Sequence, residues 1–129
     1  ILDYAGVKHP QTTYKGKEIA KPSGITARPF LEGTSEIVRS ESDWYAFELF
    51  GNGYLMQGDY KVMKVRKGMF GDGEWHLYNV VVDPSEMKPL ENDMSAKFEA
   101  MKAQYIAYAT KNNIMEVDEA WNPFKAASD

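Results

Sequence analysis

Trp44-Tyr45-Ala46-Phe47-Glu48-Leu49-Phe50-Gly51-Asn52-Gly53-Tyr54-Leu55-Met56-Gln57-Gly58-Asp59-Tyr60-Lys61 is the stretch on which the fold turns. Trp44 to Phe50 is aromatic and apolar, the composition that fits a pleated, half-buried surface. Gly51, Asn52 and Gly53 follow as turn residues. Tyr54 to Met56 and Tyr60 to Lys67 then flank Gln57-Gly58-Asp59, a strong hairpin signal. Further on, Gly68 to Gly73 carries three glycines and an aspartate and reads as a longer loop. Trp75 to Val82 is another strand, ended by the turn chemistry of Asp83-Pro84-Ser85. About four strands joined by short loops favour antiparallel pairing.

Beyond the strands the period changes. Met94, Phe98, Met101, Tyr105 and Tyr108 recur at steps of four and three, which places them on one face of a helix. Asn92 or Asp93 is suited to cap its start, Lys111 to its last turn, and Asn112 or Asn113 to a left-handed stop. Such a Met and aromatic stripe is core far more often than a ligand box. The expected class is therefore α+β: an antiparallel sheet of about four strands packed against a long C-terminal amphipathic helix. Trp121, Pro123 and Phe124 are expected to fold back onto that body.

Upstream the pattern is weaker. Ile1 to Gly6 reads like the last turns of a helix, either a frayed terminus or the end of a helix whose body lies earlier in a longer chain. Residues 7 to 24, punctuated by Pro10, Gly16, Pro22 and Gly24, read as an extended surface segment. Ile25 to Leu31 suits one or two helical turns, and the mostly polar Glu36 to Asp43 reads as a loop in which Ile37 and Val38 have the character for a brief strand. Two parts result: residues 1–43, a connecting segment, and residues 44–129, the sheet-plus-helix domain.

The 129 residues are 43% hydrophobic and 13% aromatic, enough for one core. Fifteen basic residues against nineteen acidic give a net charge of −4, a balance without the basic excess of a nucleic-acid binder. No apolar run approaches the roughly 20 residues that span a bilayer. With no cysteine, disulfides, thiolate zinc sites and a cysteine nucleophile are excluded within the chain. His9 and His76 lie in different segments, away from metal-ligand spacing, and His76 reads as a satisfied or solvated sheet residue. The glycines of 68–73 lack the Lys-Ser/Thr and helix of a phosphate loop and the alternating carboxylates of a calcium loop. The carboxylates of Glu116, Asp118 and Glu119 belong to a solvated tail. Strand alternation would send Lys61 and Lys67 to one face and Lys64 and Arg66 to the other, splitting the basic cluster.

One ordered series of motifs is more specific. Glu48-Leu49-Phe50-Gly51, Gln57-Gly58-Asp59-Tyr60-Lys61, Trp75-His76-Leu77-Tyr78-Asn79 and Asp83-Pro84-Ser85-Glu86 resemble the C-terminal region of bacterial arylsulfatases, members of the sulfatase family. That region typically reads E-L-x-G-x-R-A-x-R-x-G-D-W-K, then W-x-L-Y-N/D-L, then D-P-x-E and a final helix. Ala5 to Pro10, Tyr14 to Ile19 and Pro29 to Gly33 are similar as well. The chain departs at Gly53-Tyr54, where the family often has Arg-Ala, at Met56 for a second Arg, and at Tyr60 for Trp.

The resemblance implies a parent enzyme that hydrolyses sulfate esters with a calcium ion and a formylglycine made from Cys or Ser in a C/S-x-P-x-R motif. This chain has no such motif; Arg28 comes nearest, beside Pro29 but without the nucleophile. No catalytic or metal-binding residue is therefore carried over, and no cofactor is expected within the chain. The expected partner is an N-terminal catalytic domain outside the chain, which would act on the sulfate ester. The chain alone would be inactive, its role being to pack against that domain and shape the pocket mouth, in a bacterial cytoplasm or periplasm. Glu48, Phe50 and Asn52, at the strand-turn, are the candidates for the substrate rim. The alternative is a free-standing, non-enzymatic binding module that uses Trp44, Tyr45, Phe47 and Tyr54 as an aromatic surface.

Overall fold

The computed structural model describes residues 1–68, 70–118 and 121. The chain divides into two units, Ile1–Ser40 and Glu41–Asp129.

The first unit holds a short antiparallel hairpin, β1 (Thr13–Tyr14) and β2 (Lys17–Glu18), and one helical turn, α1 (Arg28–Leu31). The hairpin lies in the stretch expected to be extended. Its turn residues, Lys15 and Gly16, both have positive φ, 49° and 75°, the backbone of a two-residue type I′ turn. Ile1 to Gly6 forms turns, with Ala5 N–H bonded to Ile1 C=O at 3.1 Å and Gly6 at φ 66°. Arg28 ties this turn to α1: its guanidinium lies 3.6 Å from Asp3 and 2.8 Å from Glu32, and 5.3 Å from the Tyr4 ring centroid. No strand forms at Ile37 and Val38, which lie in irregular backbone.

The second unit is the expected sheet and helix. Strands β3 (Trp44–Leu49), β4 (Asn52–Gln57), β5 (Tyr60–Lys64) and β6 (Trp75–Asn79) form one antiparallel sheet in sequence order. The first turn is two residues, Phe50 and Gly51, with φ 54° and 81°. The second is Gly58-Asp59, with Gly58 at φ 55°. β5 and β6 end earlier than the apolar run of the sequence suggests. Gly73 N–H bonds to Val65 C=O and closes the intervening loop, while Asn79 Oδ1 accepts from the N–H groups of Val81 and Val82 and turns the chain out of the sheet.

Pairing sets the faces. Leu55, Val62 and Leu77 lie side by side in register and are fully buried. Each contributes on the order of 1.5–3 kcal/mol by leaving water. The helix α2 (Ser95–Lys111) covers this face with Met101 and Tyr105, buried, and with Met94, Phe98 and Tyr108, which pack on the core's edge. All five belong to the stripe read from the sequence. The outward face of α2 carries Ala96, Ala100, Ala103 and Ala107, strong helix formers that need no packing partner. The start differs from expectation: Met94 occupies the N-cap position with no side-chain cap, and Asn92 and Asp93 lie in the turn before it. At the other end Asn113 takes the left-handed stop, φ 52°. Trp121 does fold back, its ring 5.8 Å from Phe50; Pro123 and Phe124 lie outside the described residues.

Candidate functional site

The motif residues prove to be largely structural. Glu48 Oε1 accepts the N–H of Gly51 at 2.7 Å and braces the β3–β4 turn. Asn52 bridges that turn to the chain beyond β5: its amide donates to Leu49 C=O, and its Oδ1 accepts the Arg66 N–H at 2.9 Å. Phe50 is half-exposed and lies against Trp121. The three rim candidates thus share one turn, but each also has a structural duty there. Two distant motifs are joined by an ion pair. Lys61, which ends Gly58-Asp59-Tyr60-Lys61, meets Glu86, which ends Asp83-Pro84-Ser85-Glu86, at 2.6 Å. Both side chains are at most one-quarter exposed, and Asp83 Oδ2 braces the same turn by accepting the Lys88 N–H.

His76 is satisfied rather than solvated. Nδ1 lies 2.9 Å from Glu91 and Nε2 2.9 Å from Asp72. Only the protonated ring can donate from both nitrogens. Burial opposes the charge, but the two carboxylates outweigh it and raise the His76 pKa. Asp72 is held below the usual carboxylate range by the Glu74 N–H and then by His76. At Glu91 burial pushes upward, yet the bond to His76 leaves its pKa lowered.

At the end of the sheet a groove of about 510 Å³ opens between the β3–β4 turn, the β5–β6 loop, the last turns of α2 and residues 114–117. Glu48, Lys64, Lys67, Trp75, Tyr105 and Glu116 are among its lining residues. Glu48 is the one rim candidate that lines it. The basic cluster is distributed differently from the alternation forecast. Lys61 pairs with Glu86, whereas Lys67 joins Lys64 and Arg66 at the groove, because β5 stops at Lys64 and its period no longer governs the residues beyond. Arg66 holds the tail, donating to the carbonyls of Asp118 and Trp121 at 2.5 and 2.8 Å. The Tyr105 hydroxyl rests against Gly53, where an added Cβ would lie 1.9 Å from it. The chain thus fills with a phenol the space that a side chain at position 53 would need. Burial, and then the Glu48 carboxylate, raise the Tyr105 pKa.

The opposite, helix-free face of the sheet carries Tyr45, Phe47 and Leu49, each 42–50% exposed, beside Tyr54, Met56 and Met63. Tyr54 contacts both Tyr45 and Phe47, at 6.3 and 5.9 Å between ring centroids. Trp44 is not part of this cluster, since it points to the other face and meets Tyr108 edge-on at 6.2 Å.

Among the described residues, no group of three His, Cys, Asp or Glu side chains is placed to hold a metal ion, and no helix is long and apolar enough to cross a membrane. The donor set of a calcium and formylglycine centre has no counterpart in these residues. Fold and motifs together match what the resemblance implies, an antiparallel sheet backed by one C-terminal helix.

Comparison with known proteins agrees. The chain is 30% identical over 92 residues to an uncharacterized sulfatase of Schizosaccharomyces pombe, a match that takes in 70% of this chain and 16% of that protein. Its fold is similar to that of BT4656, solved in complex with its substrate D-glucosamine-2-N,6-O-disulfate. The TM-score is 0.51 at 19% identity, over 88% of this chain and 23% of that one. No protein-family model matches. On these likenesses the chain is assigned to the sulfatases as a C-terminal domain, and it spans about a sixth to a quarter of the length of the relatives it matches.

Proposed function

We propose that this chain is the C-terminal domain of an arylsulfatase-like sulfuric ester hydrolase, and that its helix-free sheet face docks on the catalytic domain of that enzyme. The observation that carries the reading is that face: Tyr45, Phe47, Leu49, Tyr54, Met56 and Met63 form one apolar, aromatic surface with no helix over it among the described residues. A surface of this kind normally marks an interaction site. The occupant is the remainder of the enzyme, because the likeness covers only 16% and 23% of the relatives' chains and leaves most of each polypeptide to another part. In this arrangement residues 1–43 connect the two parts. The β3–β4 turn, with Glu48, Phe50 and Asn52, stands at the pocket mouth. Calcium and formylglycine belong to the catalytic domain, and the substrate is a sulfate ester.

The test has two arms. Sulfate release from an aryl sulfate is measured for the 129-residue chain alone, where no turnover is expected, and for the full-length enzyme with and without Phe47→Asp. A charge buried in the docking face should lower the yield or thermal stability of the full-length protein while leaving the isolated domain's melting temperature within about 1–2 °C. Calcium-dependent turnover by the chain alone would sink the reading, as would a full-length protein indifferent to the charge.

The Tyr45, Phe47 and Tyr54 cluster equally supports a second reading, a free-standing module that uses these rings to bind a ligand. That reading requires the rings to stay solvent-exposed in the full-length protein. Protection of the Tyr45 to Leu49 amides and rings there, against exposure in the isolated chain, would exclude it.

A further inference from the structure

We propose that His76 is a proton-operated latch on one wall of the groove: its charged ring fastens the segment 70–74 to β6, and its neutral ring releases it. The proposal goes beyond the docking reading and does not depend on it, since every group involved lies within residues 61–91 of this chain.

The ring stands between two segments of the chain. Nδ1 lies 2.9 Å from Glu91 Oε1, ahead of α2, and Nε2 lies 2.9 Å from Asp72 Oδ2, in the β5–β6 loop. An ionised carboxylate accepts and does not donate, so both contacts are hydrogen bonds only while both ring nitrogens carry a proton. The neutral ring keeps one N–H and turns a lone pair on the other carboxylate, so one contact must break. The two arms are built unequally. Glu91 sits on fastened backbone: Leu90 N–H bonds to Leu77 C=O at 2.8 Å, and Glu91 Oε2 accepts the Leu77 N–H at 3.4 Å. Its side chain is 21% exposed. Asp72 is 59% exposed and stands between Gly71 and Gly73, in a segment whose Phe70 is 86% exposed and supplies no apolar anchor. The Asp72 arm is therefore the one that parts. Its segment then rests on backbone bonds such as Gly73 N–H to Val65 C=O at 3.0 Å. Gly73 lines the groove, so the charge on the ring sets how firmly that wall is held.

The remaining neighbours leave His76 in control. Met63, opposite it on β5, is uncharged. Lys61, beside Tyr78 in the same sheet, is bridged to Glu86. The Tyr78 ring lies 6.1 Å from the imidazole, and burial and then the nearby carboxylates raise its pKa, so it stays neutral while the histidine titrates. Glu74 is exposed, and its N–H is held by Asp72 Oδ1 at 2.9 Å. Helix α2 packs on the other face, against Leu77. Burial lowers the His76 pKa, but the two carboxylates outweigh it and leave the pKa raised. The latch is therefore closed below the ordinary histidine value of about 6.5 and opens as pH rises through the higher, folded value.

The experiment is a pH titration of the isotopically labelled 129-residue chain from about pH 5 to about pH 8.5, a span that brackets the histidine range. Ring-nitrogen correlations read the protonation state and tautomer of His76. Amide protection factors, corrected for the intrinsic exchange rate, read the Gly73–Val65 bond. At the acidic end both ring nitrogens should be protonated. As the ring loses its charge the proton should stay on Nδ1, facing Glu91. Over the same interval Gly73 protection should fall at least roughly fivefold, while Leu55 and Val62 keep theirs. Asp72→Asn, at an exposed position where the fold is not at risk, should flatten the Gly73 profile, because an amide side chain can accept from a ring N–H or donate to a ring lone pair. Gly73 protection that ignores the titration of the ring overturns the proposal. So does a neutral ring protonated at Nε2, an equal fall of protection at Leu55 and Val62, or an Asp72→Asn profile that follows wild type.

Discussion

Gly53→Ala should destabilise this domain, although the same change at an ordinary strand position stabilises it or is neutral. Glycine within a strand normally costs about 0.5–1 kcal/mol relative to alanine because it loses more backbone freedom on folding. Gly53 does not have positive φ, so alanine brings no backbone strain there. The obstacle is Tyr105. A Cβ at position 53 would lie 1.9 Å from its hydroxyl oxygen, 2.4 Å from Cζ and 3.0 Å from Cε2. The ring must retreat, and it is confined by Trp75 at 5.0 Å and Tyr108 at 6.1 Å. Overpacking of this type costs about 1–3 kcal/mol, which outweighs the backbone gain. Against a stability on the order of 5–15 kcal/mol, the urea midpoint should fall by on the order of 1 M with the slope unchanged. Tyr105→Ala alone should cost about 3–5 kcal/mol, the scale of large buried aromatics. With the ring gone the Gly53 change becomes harmless, so the double variant should be more stable than the sum of the two losses by at least about 1 kcal/mol. A neutral Gly53→Ala, or strict additivity in the cycle, would refute the steric account.

The Lys61–Glu86 ion pair is partly buried, so Lys61→Gln and Glu86→Gln should each cost about 1 kcal/mol in chemical denaturation, with a coupling of about 0.5–1 kcal/mol that survives moderate salt. Stability should depend on pH through His76. Its raised pKa makes the charged ring's contribution fully present below the unfolded value of about 6.5, and that contribution is lost as pH rises through the folded value. The lowered pKa values of Asp72 and Glu91 act the other way: their contribution is present above about pH 4 and lost on further acidification. The melting temperature should therefore peak between roughly pH 4.5 and 6.5, and His76→Gln should flatten the alkaline limb; a variant profile parallel to wild type would contradict this. Arg66→Ala should free the tail and speed hydrogen exchange at residues 114–118, while the sheet amides keep their protection; unchanged exchange there would show that the guanidinium does not hold it.

The sheet was legible because each of its strands carries a local signature. Trp44 to Leu49 is aromatic, Gly58-Asp59 marks a turn, and Leu55, Val62 and Leu77 are apolar residues that fall in register. The helix was legible from its five-residue stripe. What escaped was short or non-local. A two-residue strand such as Thr13–Tyr14 has no period to read, and the end of β5 at Lys64 is set by the bond from Gly73 to Val65 rather than by any residue at the break. The arylsulfatase motifs identified the right region but not the duty of each residue. That Glu48 braces a turn, and that Lys61 and Glu86 pair across 25 positions, depends on the third dimension. The groove shows the same limit. Alternation along one strand dispersed its lysines, and the loop after β5 reunited them with Trp75 and Tyr105.

The two borders of the sheet are finished differently. Along β6, Leu77 is engaged by the segment that follows, its C=O by Leu90 N–H at 2.8 Å and its N–H by Glu91. Among the described residues β3 has no strand on its outer side, and it is also the strand with the most exposed rings. A sheet border that carries exposed aromatic rings is a template for self-association. Preparations of the 129-residue chain should therefore oligomerise through Trp44–Leu49 as concentration rises, and a lysine introduced at Tyr45 should keep them monodisperse.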